Sequence, residues 1–261
     1  MLRSLYTAAT GMDAQQLRMD VISNNLSNAS TTGFKKTRAD FEELFSDTLR
    51  TAGAPDPGGG SSPNPVQIGL GVRSGSTSRS FAQGELSNTG NPTDLAIQGN
   101  GFFRVQLPSG DPAFTRAGNF TLDATGRLVT AHGEVVDPGI TVPPNTTNLT
   151  IKPDGTVSAT VAGRTDPVDL GQLELSTFTN PAGLSSIGNN LFVQTVGSGD
   201  AQSLRPGEQG AGTLSQGMLE GANVSAVTEM VDMIACQRAY ELNSKIIQTA
   251  DQMLQRLTSL R

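Results

Sequence analysis

The sequence predicts an α+β protein: paired N- and C-terminal coiled-coil helices, together a discontinuous domain, around a central all-β domain of short antiparallel strands. Three observations carry this. Both ends of the 261-residue chain repeat apolar residues in steps of three and four, the period of a helix face. Residues from 66 to 215 alternate with a period of two instead. The composition is rich in turn formers, with 30 Gly and 14 Pro, and only 16% of residues are charged, below the roughly 25% of an average soluble protein. Such a balance suits a turn-rich β protein, or one that hides much of its surface in an assembly.

The first element is the N-terminal helix. Leu5, Met12, Met19 and Leu26 recur every seven residues, with Leu2, Ala9 and Ile22 at the intermediate steps and Gln16 and Ser23 interrupting the seam. A polar run, VISNNLSNASTTGFKK at 21–36, then ends it. Its Asn, Ser and Thr side chains offer hydrogen bonds to backbone that the helix no longer satisfies, and Gly33 provides a turn before Phe34. The stretch holding Asp40, Glu42 and Glu43 reads as helical, its carboxylates on a solvated face. Residues 51–65, TAGAPDPGGGSSPNP, form a low-complexity loop with Pro55, Pro57, Pro63 and Pro65. The loop is either a mobile linker or a contact ordered only in an assembly.

The middle of the chain breaks into short strands such as IQGNGFFRVQL, FTRAGNFTLD and LGQLELSTF. Asp154-Gly155 and Asp123-Ala-Thr-Gly126 are hairpin turn signals. The second helix begins after Gly221, with Asn223 as its expected N-cap and Glu229 on the favourable side of its dipole. Its apolar stripe is Val224, Val227, Val231, Ala235, Ala239, Leu242, Ile246, Thr249, Met253, Leu257 and Leu260. A second set, Met230, Met233, Ile234, Cys236, Ile247 and Leu254, lies off that stripe, so the helix is expected to be enclosed on several sides. Two arrangements remain open on pattern alone. The helices either pack on the chain's own globular domain, or pair with each other and then with copies from neighbouring chains. The expected organisation is a helical core of 1–30 and 223–261, a connector of 31–70 and 211–222 including an insertion at 45–65, and a β-rich outer domain of 71–210.

Chemistry is hard to find in these residues. A net charge of −6 gives no basic excess to neutralise phosphates, so no nucleic-acid partner is expected. One cysteine, Cys236, excludes an intrachain disulfide and a multi-cysteine zinc site. The single histidine, His132, sits in an expected turn. There is no Gly-rich phosphate loop and no nucleophile elbow. A wall-cleaving glycosidase needs two carboxylates across a sugar-binding cleft, and the chain has no Trp to line one. No cofactor, metal or catalytic residue is expected, and the reading is a non-enzyme. No cleaved secretory signal and no membrane-spanning run are expected.

Specific strings add to this. Asn24-Asn25-Leu26-Ser27-Asn28, followed by Thr31, Gly33, Phe34 and Lys35, resembles the N-terminal signature of bacterial flagellar axial proteins (rod, hook and hook-associated). NVSAVTEMVDMIACQRAYELNSKIIQTADQMLQ, with Gln237, Arg238, Tyr240 and Asn243 at its heart, resembles the paired C-terminal signature. GELSNTGNPTDLAIQGNGFF and FTRAGNFTLDATGRLVTAHG resemble motifs shared by rod and hook proteins. The similarity runs from residue 2 to 260 and, within the family, is strongest to distal rod members. Ala222 departs from the Ser or Thr common at that place. The resemblance implies a homopolymer: a hollow, rigid helical shaft that passes torque from motor to hook around an export channel. Leu5, Met12, Met19, Leu26, Leu242, Ile246, Met253 and Leu260 would hold its inner helical wall. It also implies a place in the basal body, crossing the periplasm. The implied partners are proximal rod proteins, the hook protein, the surrounding P- and L-ring proteins and the flagellar type III export apparatus, with no cleaved signal and no membrane insertion. The alternatives are another axial component, proximal rod or hook, and a wall-remodelling hydrolase.

Overall fold

The computed structural model describes residues 2–52, 63–163 and 166–259. Two helices flank a central region of short strands, an α+β architecture. Contacts divide the chain into two compact units. The terminal unit gathers Met1–Leu26, Thr37–Ser78 and Ser225–Arg261. The central unit gathers Ser27–Lys36 and Arg79–Val224. Residues 37–70 thus group with the helices, while 31–36 and 211–222 group with the strands.

Helix α1 spans Leu2–Ser27. It stops where the polar run begins to cap and turn: Thr31 N donates to Asn28 O at 3.0 Å, and Thr31 Oγ1 donates to Asn28 Oδ1 at 3.1 Å. Gly33 has φ +69°, and a Cβ there would lie 2.6 Å from Ala117 N. Only glycine meets both demands. Helix α2 spans Ala226–Ser259. Its start corrects the expected cap: Ser225, not Asn223, precedes the first turn, with Thr228 N directed at Ser225 Oγ at 3.5 Å and Glu229 N donating to Ser225 O at 3.0 Å. Asn223 is taken elsewhere. Its Oδ1 accepts from Lys36 N at 2.6 Å, and its Nδ2 donates to the carbonyls of Ser80 and Ala82.

The acidic stretch read as helical is a strand. Thr37–Glu43 pairs with Val72–Arg79. Its carboxylates find partners there: Ser78 Oγ donates to Asp40 Oδ2 at 2.8 Å, and Arg73 pairs with Glu42 at 2.7 Å. A local period of two was hidden by three acids in four positions. Next, Ser46–Arg50 and Val66–Gly69 form an antiparallel pair with Asp47 opposite Ile68 and Thr48 opposite Gln67. In sequence the Pro/Gly-rich segment lies between these two strands.

In the central unit every strand pair with a defined register is antiparallel. The largest sheet centres on Phe102–Gln106, which pairs with Pro112–Thr115, Val135–Val136 and Leu175–Thr177. A three-stranded sheet runs Thr146–Ile151, Thr156–Val161, Val168–Gln172. Its first hairpin turns at Asp154-Gly155, where Gly155 takes φ +86°. Asp123–Gly126 makes the second expected turn: Gly126 N donates to Asp123 O, and Asp123 Oδ1 accepts from Thr125 N and Oγ1. Leu95, Ile97, Phe103, Val105, Val157, Leu175 and Leu214 sit in one continuous buried cluster. A second cluster is aromatic: Phe102, Phe114, Phe178 and Phe192 meet edge to face, with Phe81 against Phe102 and Phe192.

Candidate assembly site

Two features of the chain stand out, and they differ in kind: the helical faces of the terminal unit and a buried ion cluster in the central unit.

Within the terminal unit, α1 and α2 touch at successive levels in antiparallel order. Asn25 Nδ2 donates to Glu229 Oε2 at 3.3 Å, and Arg18 lies 3.7 Å from Asp232. The Cys236 thiol approaches Gln15 O at 3.1 Å. A Cβ on Gly11 would reach 2.9 Å from Asn243 Nδ2, so Gly11 allows a close approach. Burial pushes the Cys236 thiol up from its ordinary pKa, which suits a packing residue and not a nucleophile. The face of α2 turned to this contact runs Glu229, Cys236 and Ala250, all buried, with Met233, Asn243, Ile247 and Leu254 half-buried. On α1, Ala8, Ala14, Ile22 and Asn25 are buried, while Leu5, Met12, Met19 and Leu26 are half-buried.

The long apolar stripe of α2 lies elsewhere. Val227 is 74% exposed, Val231 61% and Leu242 60%, and Ile246, Met253, Met230 and Ile234 are also exposed. Leu260 falls outside the described residues. Of the second apolar set, Met233, Cys236, Ile247 and Leu254 meet the inner face, and Met230 and Ile234 join the outer one. These residues form a row along one helix rather than isolated apolar positions on a surface. The hairpin of the terminal unit carries another apolar set, with Phe45 93% exposed beside exposed Leu49, Val66 and Ile68. Pro63 and Pro65 at its return arm are exposed, whereas Pro55 and Pro57 lie outside the described residues.

The motif residues separate into buried and exposed groups. The Asn25 amide pairs with the backbone of Thr37 in both directions: Nδ2 donates to Thr37 O at 2.8 Å and Oδ1 accepts from Thr37 N at 3.0 Å. Phe34 is buried, and Gly33 N donates to Glu220 O at 2.8 Å. Asn24, Gln237, Arg238 and Tyr240 are exposed, and Asn28 and Asn243 are half-buried.

The sequence marks Lys35 only as part of a motif, and it does not single out the two charges that partner it, Arg116 and Glu220. Lys35, Arg116 and Glu220 are 1%, 2% and 0% exposed. Lys35 Nζ donates to Glu220 Oε1 at 2.7 Å and to Ala82 O at 2.8 Å. Gly84 N donates to the same Oε1 at 2.9 Å. Arg116 Nη1 donates to Glu220 Oε2 at 3.2 Å, its Nη2 donates to Gly99 O at 2.6 Å, and the guanidinium lies over the Phe102 ring. Burial depresses the pKa of Lys35 and Arg116, and the Glu220 carboxylate opposes that shift in both. For Arg116 and Glu220 the available signal was a lone charge set among apolar or small residues (FTRAG, MLE) in a weakly charged chain, whereas Lys35 stands beside a second lysine, Lys36. His132 lies in a turn closed by Gly133 N to Thr130 O. Among the described residues no group of three His, Cys, Asp or Glu could hold a metal ion, and no helix is long and apolar enough to cross a membrane.

A flagella basal body rod protein family matches residues 5–35, the flagellar hook protein FlgE/F/G D1 domain matches 96–159, and the flagellar basal body rod FlgEFG protein C-terminal family matches 215–260. The chain is 50% identical over 260 residues to a flagellar basal-body rod protein FlgG of Buchnera aphidicola, covering 100% of both chains. It is 48% identical over 261 residues to the one of Caulobacter vibrioides, again covering 100% of both. A flagellar hook protein FlgE of Helicobacter mustelae is 48% identical over 137 residues, which are 52% of this chain and 30% of that one.

Proposed function

The chain belongs to the family of flagellar basal-body rod proteins named FlgG, and from that premise we propose that it is a structural subunit of the distal rod. It is not an enzyme: the family is one of rod components. The observation that carries the assignment is end-to-end similarity to rod proteins, where the hook relative is matched over less than a third of its length.

Its place is the basal body of the flagellum, among other axial components. The polymer is a hollow, rigid shaft that transmits torque to the hook and surrounds the export channel. In it, α1 and α2 pair as a coiled coil, and their apolar stripes, with Leu5, Met12, Met19, Leu26, Leu242, Ile246, Met253 and Leu260, build the inner wall by packing on neighbouring copies. What supports this is the exposed row on α2. A heterologous contact whose rotation does not close generates an open helical filament. Proximal rod proteins and the hook protein adjoin the two ends, P- and L-ring proteins surround the outside, and the flagellar type III apparatus exports the chain without a cleaved signal. The 45–65 insertion, carried on a hairpin with exposed Phe45, lies between subunits and blocks the sliding that lets a tube bend.

The test is where the protein sits and what it builds. A labelled copy should localise by electron microscopy between the proximal rod and the hook. A position within the hook would overturn the assignment. Deleting 51–63 should leave tubes that bend, and equally straight, rigid tubes would remove the role given to the insertion.

A further inference from the structure

The Lys35–Glu220–Arg116 cluster takes no part in the apolar faces used for assembly, and its position in the chain points to another role. The chain passes between the two units at four places, and segments of the central unit adjoin three of them: Gly33–Lys36, Ser80–Gly84 and Glu220–Asn223. Within the central unit all three are tied together. Glu220 accepts from Gly33 N through its carbonyl and from Lys35 Nζ and Gly84 N through Oε1. Asn223 bonds Lys36 N, Ser80 O and Ala82 O, and Ser80 N donates to Lys36 O at 2.9 Å. Arg116 holds the other carboxylate oxygen from beside the central sheet and reaches Gly99 O.

We propose that this cluster is a clasp that closes the central unit at its chain crossings, so that loss of order in α1 and α2 stops there. Fraying that passed Lys36 or Glu220 would have to part a carboxylate from two cations in a water-poor interior. A charge stranded in such a place is costly, so the intact cluster resists piecemeal opening. The interior beyond it is continuous and apolar, whereas the helices expose much of their apolar surface. Regions of one chain then open with very different free energies. The inference concerns one chain in solution and does not rest on the rod assignment.

Hydrogen–deuterium exchange on the full-length chain tests it with four proteins: the parent, Ala235→Pro, Glu220→Gln and the double variant. Ala235 is an exposed residue of α2, and proline there breaks the helix. Ala235→Pro should speed exchange in α1 and α2 while peptides covering 95–106 stay within about twofold of the parent. In the Glu220→Gln background the same proline should speed exchange of 95–106 by about tenfold or more. If Glu220→Gln does not fold, Lys35→Met serves in its place, since it keeps the Arg116–Glu220 pair, and the proline should again reach the core. Core exchange that accelerates with Ala235→Pro alone overturns the proposal, as does a core indifferent to the proline in the clasp variants.

Discussion

Leu95, Ile97, Phe103 and Leu175 in the central unit are shut away from solvent by strands of the same chain, whereas Val227, Val231, Leu242 and Ile246 on α2 stand exposed. The two units solve one problem in different ways. The central unit completes its own core and even buries a three-charge cluster with its hydrogen bonds largely made within the unit. The helices bury alanines, Ile22, Cys236 and a polar Asn25–Glu229 contact, and leave most of the large side chains of α2 outside. Each such side chain gains about 1.5–3 kcal/mol when fully buried, while ordering each residue costs about 1–2 kcal/mol of backbone entropy. Such a helix takes little stability from its own chain. Periodicity marks an apolar face; it does not say what packs on it.

The contrast can be broken at several points. The largest effect is expected for Phe103→Ala, which empties a fully enclosed site and should cost about 3–5 kcal/mol in urea unfolding of the monomer. A loss near zero would mean that the central core is not the seat of the monomer's stability. Asn25→Ala removes both bonds to the Thr37 backbone and should cost about 1–3 kcal/mol. Circular dichroism should show this as lost helix, with the central transition unmoved. Ser225→Ala, at the observed N-cap, should cost about 0.5–2 kcal/mol of α2 stability. Asn223→Ala should act on the central transition instead, and the reverse pattern would restore Asn223 as the cap. Leu242→Ala should change monomer stability by no more than about 0.5 kcal/mol yet slow or abolish polymerisation. A monomer penalty like that of Phe103→Ala would erase the comparison.

The smallest effect concerns the Asp123 turn. The Thr125 hydroxyl and then the Arg127 amide hold the Asp123 carboxyl well below the usual carboxylate range. A folded pKa lower than the unfolded one gives stability that is present above about pH 4 and lost as pH falls further. Asp123→Asn should therefore flatten the acid limb of central-unit stability below about pH 4. An acid limb identical to the parent's would show that the turn contributes nothing there.

Much of this was legible in the residues. Heptad steps located α1 and α2, period-two runs located the strands, and Asp154-Gly155 and Asp123–Gly126 turn where their chemistry requires. Other parts were not. Thr37–Glu43 hid its strand character because charges dominate it, and their partners Arg73 and Ser78 lie more than thirty residues away. The cap moved two residues because Asn223 was claimed by backbone groups near 36 and 80, a tertiary demand that no local rule contains. Two apolar stripes on α2 were visible, but the one that meets α1 is the shorter set centred on Cys236, whose choice over the longer stripe no local rule contains. The ion cluster draws Lys35, Arg116 and Glu220 from three distant strings, and no local pattern says that they meet.

The central claim is that the outer stripe of α2 is finished by other copies of the chain. A cryo-EM reconstruction of the assembled filament tests it most directly. The account predicts Val231, Leu242, Ile246 and Met253 packed against helices of neighbouring copies, with the central unit unchanged. Finding those four side chains facing solvent or the open channel would contradict it.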